Sequence, residues 1–568
     1  MSKAEMSKEQ NTSIPLLSVK DLAVDFNTMD GVVHAVEGVD LEISAGETVA
    51  IVGESGSGKS TTAMAIIGLL AGGGRIAGGS IRLDGREITT ASEHEMRGIR
   101  GRDIGLVPQD PMSNLNPVAK IGTQVSETLL AHGLANRQNV SKKVVEALEA
   151  AGLPDAAQRA KQYPHEFSGG MRQRALIAIG LACKPRLLIA DEPTSALDVT
   201  VQQTILDQIG VMTRELGTAV LLITHDLGLA AERAERVIVM HRGKVVEQGD
   251  AKQILEDPQH PYTKSLVAAA PSVAVARLQP AAFSAPRTPA PRPDAAASGD
   301  PKSDNPKSDN IVEFEHLTKV YPVRGRGEDF VAVNDVSLAI PRGETVAIVG
   351  ESGSGKTTTA RMLLKVVEPT SGLIKYEGKD ISTLNRAETR DFRQRVQPIF
   401  QDPYSSLNPM FTIERLIAEP LEFYKRGSST ERRKRVRQLL DDVALPQSML
   451  RRYPSELSGG QRQRIAIARA LALSPDLIVC DEPVSALDVL VQDQILRLLG
   501  DLQREYGLSY LFISHDLAVV RLISDYVCVM KDGSLVEAAS SEEIFTNARD
   551  PYTRRLLASI PGNELNIA

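Results

Sequence analysis

Short apolar runs that each end in polar residues are the clearest pattern along this chain of 568 residues. Three lie in the first half, at residues 48–52, 187–190 and 219–224. Three matching runs lie in the second half, at residues 345–349, 477–480 and 510–514. Such runs predict buried strands of a parallel sheet, whose carboxyl ends present functional groups to a ligand. The pattern therefore predicts an α/β fold with a parallel-sheet core in each half.

The polar positions near these runs repeat with a long period. Four positions of the first half recur in the second: Gln109 as Gln401, Ser168 as Ser458, Asp191 as Asp481, and His225 as His515. The two histidines are 290 residues apart (515 − 225), far more than the period of a solenoid. The chain therefore contains a duplicated domain, and its length suits two domains of about 250 residues each.

Composition places the boundary between the two domains. Residues 273–310 are rich in Ala, Pro, Ser and Asp and end in a direct repeat of Pro-Lys-Ser-Asp-Asn. This stretch has no apolar periodicity, so a linker is predicted there. We predict a first domain at residues 1–272 and a second at residues 311–568, fused in tandem.

A glycine-rich stretch with the spacing of a phosphate-binding loop follows the first apolar run of each half. Its glycines let backbone N–H groups turn around a phosphate, its lysine reaches the β and γ oxygens, and the next hydroxyl ligates Mg²⁺. Two matches in one strand-to-helix context argue against the alternative, a plain glycine-rich turn. The residues predicted to bind ATP are Gly53, Glu54, Ser55, Gly56, Ser57, Gly58, Lys59, Ser60 and Thr61 in the first half, and Gly350, Glu351, Ser352, Gly353, Ser354, Gly355, Lys356, Thr357 and Thr358 in the second.

Acidic residues and histidines at the ends of the later strands supply candidate chemistry. Glu192 and Glu482 suit the orientation or deprotonation of an attacking water. His225 and His515 suit a contact with the γ-phosphate; a lone histidine there is more often structural, but its repetition favours a catalytic role. The predicted Mg²⁺ ligands are Ser60, Gln109 and Asp191 in the first half, and Thr357, Gln401 and Asp481 in the second.

A Ser-Gly-Gly element is predicted to open a helix in each half. The elements are Ser168, Gly169 and Gly170, and Ser458, Gly459 and Gly460. Serine is a good N-cap, and the N–H groups and positive end of a helix attract anions. The alternative is a plain helix cap. Two anion sites per half for one nucleotide favour a role in binding the ATP of the other half.

Charge and cysteine content narrow the class of protein. A net charge of −7 and a pI near 5.9 argue against nucleic acid as the partner. No apolar run approaches the ~18 residues of a membrane span, so a protein soluble on its own and cytoplasmic is expected. Cys183, Cys480 and Cys528 lack metal-ligand spacing and are expected in the core, without an iron–sulfur cluster.

The motif order resembles the ATP-binding-cassette ATPases. It runs phosphate-binding loop, Gln, Ser-Gly-Gly, Asp-Glu-Pro, Ser-Ala-Leu-Asp and His, and it covers both halves almost end to end. The resemblance implies a helical subdomain between Gln109 and Ser168, and between Gln401 and Ser458, that docks on a transporter. It also implies an aromatic ring against adenine, for which the candidates are Phe26 and Tyr321.

The same resemblance implies a head-to-tail sandwich, a pseudo-dimer within one chain. ATP on Lys59 would meet Ser458-Gly-Gly, and ATP on Lys356 would meet Ser168-Gly-Gly. One departure is Met171, which stands where the second half has Gln461. Because both glutamates and both histidines are present, two hydrolytic sites are expected.

A narrower resemblance comes from two further repeated stretches. They are Gln-Asp-Pro-Met-Ser-Asn-Leu-Asn-Pro from Gln109, which matches the stretch from Gln401, and Pro-Tyr-Thr after His260 and after Asp550. These resemble the ATPases of bacterial importers for dipeptides, oligopeptides, glutathione and nickel. The resemblance implies two integral-membrane permease subunits, an extracytoplasmic substrate-binding protein, and a peripheral location on the cytoplasmic face of the cell membrane. Physically, Pro-Tyr-Thr predicts a helix start.

Two other classes of twin-cassette protein are alternatives. A protein acting on the ribosome would also lack membrane spans, but it is expected to join its cassettes by a long, charged helical linker. A DNA-repair ATPase is expected to carry zinc-type cysteines. The Pro/Ala-rich linker and the Pro-Tyr-Thr tails favour the importer.

Overall fold

The computed structural model describes residues 14–28, 31–194, 197–270, 309–322, 329–402, 406–485 and 487–561. The predicted linker lies almost wholly outside the described residues, as do parts of both Ser-Ala-Leu-Asp motifs and of the stretch after Gln401. The chain divides into two compact units: the first comprises residues 1–197 and 201–268, and the second comprises residues 198–200 and 269–568. The domain boundaries at 272 and 310 stay predictions.

The first unit alternates strands and helices. Its strands are β1 (Leu17–Thr28), β2 (Gly31–Ile43), β3 (Thr48–Val52), β4 (Gly74–Leu83), β5 (Arg86–Glu87), β6 (Ile104–Val107), β7 (Leu187–Asp191), β8 (Ala219–Thr224), β9 (Arg236–His241) and β10 (Lys244–Asp250). Its helices are α1 (Lys59–Ile66), α2 (Glu93–Ile99), α3 (Pro111–Asn114), α4 (Ile121–Ala131), α5 (Val140–Ala150), α6 (Ala156–Arg159), α7 (Gly169–Leu181), α8 (Val199–Leu216), α9 (Leu227–Arg233), α10 (Ala251–Glu256) and α11 (Pro261–Ala269).

The predicted parallel sheet is confirmed. Its strand order is β10-β9-β3-β8-β7-β6, and only the edge strand β10 pairs antiparallel. Every residue of β7 and β8 is buried. Burial on both faces explains why these strands read as continuous apolar runs in the sequence. The three predicted strands therefore lie side by side in the order β3, β8, β7.

A second, antiparallel sheet was not predicted. Its order is β2-β1-β4-β5. Its strands escape the search for apolar runs because β4 contains Gly74, Gly78 and Gly79 and its buried residues are confined to its end. Gly79 lies there at a shift in register with β1, at φ 88°, where a Cβ would be 2.3 Å from the carbonyl oxygen of Asp21. A glycine is therefore needed for this bulge.

The segment between Gln109 and Ser168 is helical, as the resemblance implied. Apolar residues at a spacing of four bury one face of α4, at Ile121, Val125 and Leu129. These residues share a core with Val144 and Leu148 of α5 and with the buried face of α7. The spacing is that of an amphipathic helix. The three helices pack in one cluster with Val107 of β6 and Leu188 of β7, distinct from the cluster between the two sheets.

The second unit repeats this plan. Its strands are β11 (Asn310–Tyr321), β12 (Phe330–Pro341), β13 (Thr345–Val349), β14 (Ser371–Tyr376), β15 (Lys379–Asp380), β16 (Val396–Ile399), β17 (Leu477–Asp481), β18 (Ser509–Ile513), β19 (Tyr526–Lys531) and β20 (Ser534–Ser540). Its helices are α12 (Lys356–Leu363), α13 (Arg386–Arg395), α14 (Ile413–Phe423), α15 (Ser429–Asp442), α16 (Gly459–Leu471), α17 (Val489–Tyr506), α18 (Leu517–Ile523), α19 (Ser541–Asn547) and α20 (Pro551–Ala558). The sheet orders are β12-β11-β14-β15 and β16-β17-β18-β13-β19-β20.

Two further expectations concern burial and membranes. Cys183, Cys480 and Cys528 are buried, as predicted. Across the part of the chain that the structure describes, no helix is long and apolar enough to cross a membrane.

Candidate functional site

The phosphate-binding loop of each unit joins a buried strand to a helix. In the first unit it leads from β3 to α1, where Gly58 has φ 101°. Lys59 is 6% exposed, and its Nζ donates to the carbonyl oxygens of Gly53 at 2.7 Å and Glu54 at 2.9 Å. The loop therefore already curls around the ammonium group that is predicted to meet a phosphate.

Lys356 repeats this arrangement in the second unit. Its Nζ donates to the carbonyl oxygens of Gly350 and Glu351, both at 2.7 Å. Burial lowers the pKa of the Lys356 ammonium, while the charge of Glu482 acts in the opposite direction. A partly desolvated cation of this kind gains from the arrival of an anionic phosphate.

A hydroxyl and a carboxylate meet at the strand ends. Ser60 Oγ donates to Asp191 Oδ1 at 2.9 Å, and Thr357 Oγ1 donates to Asp481 Oδ1 at 3.2 Å. Burial raises the pKa of both aspartates, against the lowering effect of the hydroxyl hydrogen bond. Hard oxygen ligands beside a phosphate site are what Mg²⁺ prefers, so these residues fit that ion.

The adjacent glutamates lie at the centre of the polar contacts. Glu192 accepts from Gln109 Nε2 at 2.7 Å and lies 3.3 Å from His225 Nδ1. Glu482 accepts from Gln401 Nε2 at 2.8 Å and lies 3.0 Å from His515 Nδ1. In each unit the structure thus brings the glutamate and histidine that were predicted to be catalytic together with the glutamine that was predicted to bind ATP and Mg²⁺. Those roles stay predictions.

The backbone at the glutamates is unusual. Glu192 has φ 43° and Glu482 has φ 48°, in the left-handed region. The N–H group of Glu192 donates to the carbonyl oxygen of Ile223 at 2.9 Å, and that of Glu482 donates to Ile513 at 3.0 Å. Each glutamate is therefore tied to the neighbouring strand, which fixes the direction of its side chain.

Each glutamate and its histidine shift one another's protonation. Burial by itself would raise the pKa of Glu192, but the hydrogen bond and charge of His225, together with the charge of Lys59 and the bond from Gln109, lower the pKa overall. Burial would likewise lower the pKa of His225, but the bond and charge of Glu192 raise it. Glu482 and His515 behave in the same way. The pair favours a carboxylate beside a protonated imidazole.

The Ser-Gly-Gly elements begin helices, as predicted. Ser168 Oγ accepts from the N–H group of Met171 at 3.4 Å, and Ser458 Oγ accepts from that of Gln461 at 3.3 Å. The Gln461 side chain also accepts from the N–H group of Ser458 at 3.0 Å, which methionine cannot do. The cap is therefore reciprocal in the second unit alone, and binding of an anion by either element stays a prediction.

The adenine candidates lie in the antiparallel sheets. Phe26 pairs with Val33 and Gly74, and its ring is partly buried against the core of the first unit. Tyr321 is at the end of β11, where Lys319 Nζ lies 5.1 Å from its ring centroid. A contact of either ring with adenine stays a prediction.

Sequence reasoning missed one pair of residues at the loops. The hydroxyls of Tyr262 and Tyr552 accept from the N–H groups of Glu54 and Glu351, both at 3.1 Å. Both tyrosines belong to Pro-Tyr-Thr stretches, which were interpreted as helix starts. The recurrence of the tyrosine was the available signal, but contacts more than 200 residues apart along the chain leave no periodic pattern.

The family described as ABC transporter matches residues 36–195 and 333–485. The family described as the C-terminal region of oligopeptide/dipeptide transporters matches residues 246–294 and 536–567.

Similar curated proteins include the glutathione import ATP-binding protein GsiA of Pectobacterium atrosepticum and of Salmonella typhimurium. Each is 43% identical over 557 residues, which are 96% of this chain and 89% of the relative. The GsiA of Escherichia coli K12 is 43% identical over 561 residues, with the same coverage. A solved ATP-binding cassette in a dimeric, post-hydrolysis state with ADP and Pi is 34% identical and aligns over 41% of this chain and 99% of its own, with a TM-score of 0.38.

Proposed function

Because this chain belongs to the ABC transporter family, whose cassettes bind and hydrolyse ATP, we propose that it is the energy-coupling ATPase of a bacterial importer for peptides. Glutathione is the first candidate cargo, since similar proteins are named for its import. The observation that carries the proposal is the duplicated set of contacts at the strand ends, within a chain matched over 96% of its length.

We assign the chemical roles from these contacts. Lys59 and Lys356, together with the loop N–H groups, bind the phosphates of the substrate ATP. Glu192 and Glu482 orient the attacking water and accept its proton. His225 and His515 hold those carboxylates through Nδ1 and donate from the other ring nitrogen to the γ-phosphate. Mg²⁺, when bound by Ser60 with Asp191 and by Thr357 with Asp481, would offset the phosphate charge.

We further propose that the two halves act as a pseudo-dimer with composite sites. In this arrangement Ser458, Gly459 and Gly460 complete the site of Lys59, and Ser168, Gly169 and Gly170 complete the site of Lys356. Family resemblance and the helix N-termini at these residues support the assignment. Phe26 and Tyr321 stay the proposed adenine contacts.

Transport follows from closure and reopening of this sandwich. ATP binding favours the closed state and hydrolysis removes that preference, which is the population shift that drives alternating access in separate permeases. The helical subdomains that contain α4 and α14 are proposed to dock on two integral-membrane permease subunits. The chain would then lie on the cytoplasmic face of the membrane, and an extracytoplasmic protein would deliver the cargo.

Uptake in whole cells tests the proposal. Cells lacking the chain should lose uptake of labelled glutathione or of a labelled dipeptide, and the wild-type chain should restore it. The Glu192→Gln/Glu482→Gln chain should not, although it is expected to fold and bind ATP. Native chain purified in mild detergent should carry two integral-membrane proteins. Purification with ribosomes and without membrane subunits would contradict the importer.

A further inference from the structure

The Pro-Tyr-Thr element of each unit contacts the phosphate-binding loop, and the proposed function gives it no role. α11 begins at Pro261 and α20 at Pro551. In both units the next residue is the tyrosine whose hydroxyl accepts from the second N–H group of the loop, at 3.1 Å. The same hydroxyl-to-amide contact therefore occurs at equivalent positions of both units, between residues more than 200 positions apart. This repetition indicates that the contact is a specific feature of the fold.

The tyrosine rings are held by the strand beside the loop. The centroid of the Tyr262 ring lies 4.0 Å from that of His241, the last residue of β9. Lys531 ends β19 and places its Nζ 5.2 Å from the Tyr552 ring centroid, a cation–π distance. The equivalent tyrosine rings of the two units are thus held by different side chains, His241 in the first unit and Lys531 in the second.

The same two strands also confine the start of each loop. A Cβ on Gly53 would be 2.2 Å from the carbonyl oxygen of Met240, and one on Gly350 would be 2.1 Å from that of Met530. Met240 precedes His241 in β9, and Met530 precedes Lys531 in β19. The first glycine of the loop and the tyrosine ring therefore contact consecutive residues of one strand.

A glutamate on the edge strand fixes the backbone before each helix. Glu247 of β10 accepts from the N–H groups of Gln259 at 2.7 Å and His260 at 3.0 Å. Glu537 of β20 accepts from those of Arg549 at 2.7 Å and Asp550 at 3.1 Å. These bonds attach the start of each helix to the sheet and so determine where the tyrosine lies.

The tyrosine backbone is capped from two residues upstream. His260 Nδ1 accepts from the N–H group of Tyr262 at 3.2 Å, and Asp550 Oδ1 accepts from that of Tyr552 at 2.7 Å. Burial raises the pKa of Tyr552 to about 12, so its hydroxyl is neutral at physiological pH. A neutral acceptor can hold the loop amide without repelling a phosphate.

We propose that Tyr262 and Tyr552 are positioning residues that hold the entry of each phosphate-binding loop in its nucleotide-receiving conformation, so that the C-terminal extension sets the affinity for ATP. An ordered loop does not have to lose conformational entropy when the nucleotide arrives. The chemistry itself lies elsewhere, on Glu192 and Glu482. This inference rests on the proposed placement of ATP at the two loops.

The test removes one oxygen atom per site. In Tyr262→Phe/Tyr552→Phe the KM for MgATP should rise about 3- to 10-fold, the effect of one hydrogen bond, while kcat stays within about twofold. Without nucleotide, amide hydrogen exchange in residues 350–356 should be faster than in wild type, and exchange in β17 should be unchanged. The matched control is Tyr506→Phe, whose hydroxyl donates to Asp442 Oδ2 at 2.7 Å, between the ends of α17 and α15. It should leave the KM unchanged.

Each alternative outcome has one meaning. The positioning role is overturned if the Tyr262→Phe/Tyr552→Phe variant keeps the wild-type KM and hydrogen exchange, or if it loses only kcat. It is also overturned if Tyr506→Phe raises the KM to the same extent. Lys59→Ala/Lys356→Ala tests the placement of ATP separately, by equilibrium binding of MgATP. If the lysine variant binds MgATP as wild type does, the proposed site is wrong. If it loses binding and the tyrosine variant is unaffected, only the positioning role fails.

Discussion

Gln109 donates its side-chain amide to the carboxylate of Glu192 at 2.7 Å, and Gln401 makes the same contact with Glu482 at 2.8 Å. Each glutamine begins the segment that leads into the helical subdomain, whereas each glutamate directly follows a buried strand, β7 or β17. A change at the carboxylate that is proposed to be catalytic can therefore reach the segment that leads into the helical subdomain through a single hydrogen bond. Coupling of this kind is a free energy between two sites and is separate from the chemical step.

Replacing both glutamines tests that separation. In Gln109→Ala/Gln401→Ala, stimulation of hydrolysis by reconstituted permease subunits should fall at least about tenfold, while basal hydrolysis changes less than about threefold. Phosphate release measured with and without the permeases gives both quantities. An equal loss in basal and stimulated rates would show that the glutamines serve the chemistry alone.

Removing the charge of both glutamates should separate binding from hydrolysis. In Glu192→Gln/Glu482→Gln, kcat should fall at least about 100-fold because proton transfer and water orientation are lost. The affinity for MgATP should change less than about threefold, since the phosphate contacts remain. Single-turnover hydrolysis measures the loss of rate, and equilibrium binding measures the affinity for MgATP. Turnover near the wild-type rate would contradict the catalytic role of Glu192 and Glu482.

Double variants test which residues share a site. If ATP on Lys59 is completed by Ser458, then Lys59→Ala with Ser458→Arg should be little worse than either change alone. Lys59→Ala with Ser168→Arg should damage both sites and abolish hydrolysis. Site-resolved nucleotide trapping distinguishes the two pairs. The reverse pattern would mean that each half completes its own site.

The histidine–glutamate pairs should make stability fall as pH rises. Glu192 and Glu482 raise the pKa of His225 and His515, so the pairs stabilise the fold fully below the unfolded-state pKa of about 6.5. That contribution is lost as pH rises through the higher folded-state pKa. The nucleotide-free His225→Gln/His515→Gln variant should therefore lose less stability than wild type between about pH 6 and pH 9. Calorimetric unfolding across this range measures it, and a steeper fall in the variant would contradict the ion pairs.

The sequence predicts a strand most reliably where the strand is one uninterrupted run of apolar residues. β3, β7 and β8 are buried on both faces, so they read as apolar runs. Lys59 follows β3 through the glycine-rich loop, Asp191 is the last residue of β7, and Glu192 is the next residue. β1 and β4 were missed because exposed residues and glycines interrupt their pattern, and because an antiparallel sheet can leave one face in solvent.

Contacts set by tertiary packing could not be predicted. The distance from Tyr262 to Glu54 depends on where Glu247 holds the preceding loop, and no local pattern encodes that. The same holds for the hydrogen bond between Ser60 and Asp191. This bond depends on the strand order β3-β8-β7, which no local pattern predicts. The motifs predict which residue types lie at the site, whereas the hydrogen-bond partner of each residue can be identified only from the folded structure.

The left-handed backbone at positions 192 and 482 sets the needs of the site against the preference of the main chain. A non-glycine residue in that region costs about 1–2 kcal/mol, and glycine largely avoids the cost. A glycine there would also lose the bonds of the glutamate to its glutamine and histidine, so the relief of the backbone and the loss of those bonds offset one another. Random variation screened only for heat resistance therefore has little reason to keep glutamate at 192 and 482, whereas a screen for growth that depends on transport should retain it at both positions.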